Sequence, residues 1–269
     1  MVKVKYKGGG RMKYIELKGK SVLITGGTQG IGSSIAKAFT LSDAKVAING
    51  RKLNDKVQKV LDETGAIAVV GDLSDVEKAK GIVNDVVAQN GGIDVLVANA
   101  AGMNMKPFLE QDEMAWKKQI EINLSGHLFC IQECIKHMKD HGGTIVVISS
   151  FFGSIGWNNA TGYGASKSGL LNLGQYLARD YKKYNINVCI LIPGVIDTDQ
   201  LNVDAQDLGI SLDEVREMYA ETLPINRVGQ PSEIAEMVCY MATEKGGRAL
   251  SGKHVQVSGG EYRTTPYYL

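Results

Sequence analysis

Tyr163 and Lys167 lie four residues apart in Tyr163-Gly164-Ala165-Ser166-Lys167. On a helix that spacing puts a phenol and an ammonium on one face, a pairing suited to proton transfer. A free tyrosine has a pKa of about 10, too high for an effective base near neutrality. A neighbouring cation stabilises the phenolate and is expected to lower that value. Surface helices often carry such a pair, so its meaning depends on where this helix begins. It follows an apolar run that ends in Ser149-Ser150.

A second constellation opens the chain. Thr25-Gly26-Gly27-Thr28-Gln29-Gly30-Ile31-Gly32 follows the β-branched run Ser21–Thr25 and leads into an amphipathic stretch. Glycines let a backbone turn tightly and approach a pyrophosphate, and the free N–H groups of a helix start favour its charge. Strand, glycine turn and helix together make this a phosphate-binding turn. No Gly-Lys-Ser/Thr follows it, so it is not a triphosphate loop.

The elements that must hold these residues alternate along the chain. Strands are expected at Ser21–Thr25, Lys45–Asn49, Ile67–Gly71, Val95–Asn99, Thr144–Ser149, Asn187–Ile192 and His254–Val257. Most are nearly continuous apolar runs, as parallel strands covered on both faces require. Helices are expected at Ile31–Ser42, Leu53–Thr64, Asp75–Asn90, Asp112–Lys139, Gly164–Lys183 and Ser232–Thr243. The alternation implies an α/β fold with right-handed crossovers: a single-domain, doubly wound (Rossmann) parallel sheet of about seven strands, with helices on both faces. Residues 1–16 are basic and glycine-rich, and read as a flexible tail in which Met12 offers another start; residues 17–269 form the one domain. Residues 199–223 break the alternation with a polar segment and a helix starting near Ser211, placed as a lid over the carboxyl end of the sheet.

Composition narrows the partners. The chain has 269 residues, 44% of them hydrophobic, and a formal net charge of +1. That balance gives no reason to expect nucleic acid or an anionic membrane. No apolar run reaches the roughly 18 residues that cross a bilayer, and the N-terminus lacks the apolar stretch of a signal peptide. A cytoplasmic protein acting on a small molecule is the expectation. His127, Cys130, Cys134 and His137 imitate a metal-ligand set, but on a helix they spread over roughly 15 Å and cannot converge on one ion. Cys189 and Cys239 sit in apolar runs as small core residues. No metal site is expected.

With these motifs in order, the sequence resembles the short-chain dehydrogenase/reductase family in its branch of about 250 residues, from about Leu17 to Tyr262. Further landmarks carry the resemblance: Asp72 after the third strand, Asn99-Ala100-Ala101-Gly102 after the fourth, Asn123 in the next helix, and Pro193-Gly194 after the sixth. The resemblance implies a catalytic set of Asn123, Ser150, Tyr163 and Lys167. Ser150, thirteen residues before the tyrosine, is chosen over Ser149 to orient the substrate oxygen. Lys167 would also hold the nicotinamide ribose, and Asn123 a water linking Lys167 to solvent.

For the cofactor, the resemblance implies contacts from Gly26, Thr28, Gln29, Gly30, Ile31 and Gly32 in the turn. Asp72 and Leu73 would lie at the adenine, and Asn99, Ala100 and Gly102 along the adenosine side. Pro193, Gly194, Ile196 and Thr198 would meet the nicotinamide. An acidic residue at the end of the second strand would read the 2′-hydroxyl of NAD, whereas an arginine accommodates the 2′-phosphate of NADP. Here Asn49-Gly50 leads into Arg51-Lys52. NADP(H) is therefore favoured over NAD(H), although Gln29 stands where many NADP-dependent relatives carry a basic residue.

Substrate contacts are expected from Phe151–Thr161, Met103–Phe108 and the lid. Phe152 and Trp157, with Phe151, Met103 and Met105, imply an apolar pocket for a bulky ketone or alcohol such as a steroid-like ring compound; Asn158 and Asn159 would add polar recognition. A 3-oxoacyl-carrier-protein reductase is the alternative within the class, although Lys182 and Lys183 make no clear basic patch for an acidic carrier. A sugar or polyol dehydrogenase is another. A non-catalytic NAD(P)-binding sensor or scaffold is the alternative of another class, against which the intact Ser150, Tyr163 and Lys167 argue. A longer-chain epimerase or dehydratase would need a larger carboxyl-terminal domain and a different glycine spacing. The resemblance also implies a homotetramer or homodimer through the two long helices and the last helix and strand, with Tyr262, Tyr267 and Tyr268 of the tail near a neighbour.

Overall fold

The computed structural model describes residues 12–261. Most of the expected flexible tail and the tyrosines after Glu261 lie outside the described residues.

Seven strands form one sheet: β1 (Ser21–Ile24), β2 (Lys45–Gly50), β3 (Ile67–Val70), β4 (Val95–Ala98), β5 (Gly143–Ile148), β6 (Ile186–Pro193) and β7 (His254–Val257). Their order is β3-β2-β1-β4-β5-β6-β7, and every pairing is parallel. The strands are apolar because two layers of helices cover them. One layer is α1 (Gly30–Leu41) and α9 (Pro231–Ala242), which bury Ile35, Phe39, Ile234 and Val238 against Ile24, Ile48 and Val146. The other is α3 (Val76–Asn90), α5 (Gly126–Met138) and α6 (Thr161–Asp180), which bury Ile82, Val86, Ile131 and Leu170 against Leu23, Leu96 and Val147. Alternate residues of each strand thus feed opposite cores.

Side chains set the helix starts. Asn54 caps α2 (Asp55–Thr64) by accepting from the Val57 N–H, Asp75 caps α3, and Ser211 with Glu214 closes a capping box on α8 (Leu212–Ala220). The order turns back at β1, whose neighbours are β2 and β4. Their connections leave towards opposite faces there, opening a crevice at the carboxyl ends.

The structure departs from the expected elements in three places. The long helix expected over Asp112–Lys139 is broken: α4 (Glu113–Ile120), capped by Asp112, passes into a π-helical turn at Glu121–Ser125 before α5 resumes. The lid carries two helices, α7 (Gln200–Leu208) as well as α8. A short helix, α10 (Glu244–Leu250), was not foreseen; Thr243 caps it, and Gly246 lies where a Cβ would strike the Tyr240 carbonyl.

Candidate active site

A cavity of about 860 Å³ opens over the carboxyl ends of the central strands. Every residue expected at the cofactor lines it, as do Ser150, Phe152, Trp157 and Tyr163 on the substrate side, whereas Asn123 is fully buried behind the wall. The glycine turn forms its floor. Gly26 has φ +64°, and a Cβ there would lie 2.8 Å from Ala100 Cα. A Cβ on Gly32 would collide with the Gly26 carbonyl. Asn99 braces the turn, its Nδ2 donating to the carbonyls of Thr25 (2.9 Å) and Gly26 (3.2 Å). The Thr25 hydroxyl accepts from the N–H groups of Asn99 and Ala100. Only bare backbone fits this cradle, beneath the start of α1.

Adjoining walls suit the rest of a dinucleotide. Asp72 accepts from the Ser74 N–H (3.0 Å) and hydroxyl (2.8 Å). Burial would raise its pKa, but those bonds outweigh it and the carboxyl lies below its ordinary value. Arg51 and Lys52 line the cavity with exposed side chains, while Asn49 is buried and donates to the carbonyls of Val69 and Gly71. The donor set and the glycine cradle fit a nicotinamide dinucleotide. Ile196 is buried and bridges to Gly229 beside Pro193 and Gly194, and Thr198 faces the floor.

Tyr163 and Lys167 stand on the first two turns of α6. The Lys167 Nζ is 5.6 Å from the Tyr163 ring centre and donates to the Ile148 carbonyl at 2.9 Å. The two serines divide their work. Ser149 turns inward and donates to the Lys167 carbonyl at 2.9 Å, while Ser150 hydrogen-bonds Tyr163.

One expectation is corrected here. The pKa of Tyr163 is not brought below its ordinary value. Dense packing pushes the phenol up to about 12, and the Ser150 bond offsets this in part. Burial also pushes Lys167 down to about 8, so the cation is itself weakened, and it is turned towards a carbonyl. Desolvation outweighs the charge effect that the four-residue spacing implies. Near neutrality Tyr163 holds its proton.

The π-helical turn aims Asn123. Its Oδ1 accepts from the Gly102 N–H (2.7 Å), and its Nδ2 donates to the Gly102 carbonyl (2.8 Å) and Ser166 hydroxyl (3.1 Å). Its side-chain amide therefore ties the segment after β4 to α6. π turns widen a helix by one residue and re-aim side chains in this way.

Several residues at the site escaped the sequence reading. His127, fully buried, holds the Ala100 carbonyl at 2.7 Å through Nε2, and burial pushes its pKa down to about 4. His137 instead meets Asn84 Oδ1, so the two histidines of the imitation metal set serve different partners. Val195 also lines the cavity, as do Gln200, Leu201, Asp204 and Tyr219 of the expected lid. Phe152 stacks on Trp157 at 5.2 Å and meets Tyr163 edge-on at 6.1 Å. Asn158 and Asn159 do not line the cavity; both are exposed, and the Asn159 carbonyl accepts from the Lys106 N–H.

A family model described as enoyl-(acyl carrier protein) reductase matches residues 26–261. The chain belongs to the short-chain dehydrogenase/reductase family. Family membership makes it an oxidoreductase, and the family uses NAD(P). Among its relatives is a 3-oxoacyl-(acyl-carrier-protein) reductase of Staphylococcus aureus, 32% identical over 249 residues, which are 90% of this chain and 98% of that one. The cis-4-hydroxycyclohexanecarboxylate dehydrogenase of Sinomonas cyclohexanicum is 33% identical over 243 residues, covering 88% and 94%. A solved short-chain dehydrogenase from Burkholderia cenocepacia, in complex with NADP, superposes with a TM-score of 0.82 at 28% identity, covering 91% of this chain and 99% of that one. Among the described residues no helix is long and apolar enough to cross a membrane.

Proposed function

We propose that this family member is an NADP(H)-dependent oxidoreductase interconverting a secondary alcohol and a ketone on a bulky, ring-containing apolar substrate. The observation that carries the reading is one cavity that joins the glycine cradle to the Ser150–Tyr163–Lys167 group. When bound, the nicotinamide supplies a hydride to the carbonyl carbon or takes one from the carbinol carbon. Ser150 would orient the substrate oxygen. Tyr163 would give that oxygen its proton in reduction, and take it back in oxidation. Lys167 would stabilise the phenolate left behind, its charge counting for more in a water-poor site. Arg51 and Lys52 support the choice of NADP, as cations where the 2′-phosphate would lie. The exposed Met114, Leu128 and Tyr176 on α4, α5 and α6 support assembly as a homotetramer or homodimer.

The test is a screen of cyclic ketones and alcohols with both cofactors, followed by the absorbance of the reduced nicotinamide. Reduction of ring ketones, faster with NADPH than with NADH, is expected. A second reading, 3-oxoacyl-carrier-protein reduction, draws support from the Staphylococcus aureus relative. Turnover of an acyl-carrier thioester in preference to every ring ketone would favour it.

A further inference from the structure

The substrate side of the cavity is lopsided. One wall is aromatic: Phe152 and Trp157 stack with ring planes 22° apart. The lid contributes a polar cluster to the lining. Asp204 on α7 accepts from the Tyr219 hydroxyl at 3.1 Å and from Gln200 Nε2 at 3.0 Å, and all three residues line the cavity.

Hydrogen-bond capacity decides what this cluster can recognise. A carboxylate has two oxygens, each able to accept about two bonds. Each Asp204 oxygen has one neutral protein donor, so both retain acceptor capacity. Tyr219 spends its single proton on Asp204. Burial and the adjoining carboxylate both push its pKa up, so it stays a phenol and cannot relay charge. Arg216, a nearby lid cation, is committed to Asp197 and Asp213. The negative charge of Asp204 therefore has no counter-ion among the described residues.

We propose that Asp204, held in place by Tyr219 and Gln200, is a specificity determinant that selects ring substrates bearing a second hydroxyl or an ammonium group away from the reacting carbon and rejects those bearing a carboxylate. This inference rests on the alcohol–ketone reading above. It also separates this chain from the relative whose name specifies a cyclohexanecarboxylate.

The test compares kcat/KM for 3- and 4-hydroxycyclohexanone with that for 4-oxocyclohexanecarboxylate, using NADPH and the full chain. The ratio of two substrates on one preparation is independent of how much enzyme is folded. Wild type should prefer a hydroxyketone, and Asp204→Asn should shrink that preference by on the order of tenfold or more, mainly through KM. Asp204→Glu should restore part of it, and Tyr219→Phe should weaken it less than Asp204→Asn. An unchanged ratio in Asp204→Asn, or a wild type that favours the carboxylate, overturns the assignment. Failure of every ring ketone with both cofactors would instead bring down the alcohol–ketone reading, and this inference with it.

Discussion

Lys56 reaches from α2 to Asp199, at the entrance to the lid, and pairs with it at 2.9 Å beside Gln29 of the glycine turn. The pair spans the rim of the cavity from the phosphate-binding side to the lid. Both side chains are more than half exposed, so the contact is weak and screened by salt. Asp199→Asn should speed release of bound NADPH by no more than about fivefold. Stopped-flow fluorescence should show the difference at low ionic strength and lose it in high salt. A difference that persists in high salt would mean that Asp199 acts by another route.

Tyr163→Phe removes one hydroxyl beside Ser150. Turnover should fall by roughly a hundredfold to ten-thousandfold, the usual worth of a positioned acid, while NADPH binding measured by fluorescence is retained. Near-normal turnover would remove Tyr163 from the proton path.

Lys167 gives the reaction a pH signature. Burial holds its pKa at about 8, so the ammonium that stabilises the phenolate is present below that pH and lost above it. The kcat/KM of ketone reduction should therefore decline as pH rises through about 8. A profile flat across that pH would exclude Lys167 from the rate-determining chemistry.

His127 gives a stability signature of the opposite kind. Its folded pKa of about 4 lies below the ordinary 6.5, so between those values the unfolded chain binds the extra proton. Stability is retained above the higher value and lost as pH falls towards the lower, by about 3 kcal/mol. His127→Gln keeps a donor for the Ala100 carbonyl without titrating. Urea unfolding midpoints of this variant should fall less steeply with acid, and parallel slopes would contradict the assignment.

Arg51→Asp should weaken NADPH binding by on the order of tenfold or more and leave NADH affected far less, because charge-assisted bonds to phosphate are the strong ones. Isothermal titration with both cofactors measures it. Equal losses would place Arg51 away from the 2′-phosphate.

The sheet was legible because parallel strands must be apolar on both faces. Val95–Ala98 and Gly143–Ile148 are such runs, and their expected ends differ from the observed ones by one residue. The glycine turn was legible because its backbone conformations exclude side chains. What escaped depends on contacts distant in the chain. α7 buries only Leu201 and Ala205, too little for a readable stripe, and α10 hides behind Gly246 and Gly247. The direction of the Tyr163 shift depends on packing density, which four-residue spacing does not encode. Asp204 and Tyr219 meet across two helices, and His127 gains its role from a carbonyl 27 residues earlier.

The π-helical turn at Glu121–Ser125 has a consequence for how this protein could be improved. A helix carrying one surplus residue per turn packs its own axis less well than a regular one. Deleting a single residue within it would restore an unbroken rod from α4 into α5, with better internal bonding. It would also swing Asn123 through about 100° relative to the residues beyond the deletion, away from Gly102 and Ser166. A more regular backbone would therefore come at the loss of three hydrogen bonds at a fully buried side chain. Thermostabilisation in this stretch needs activity as a second criterion.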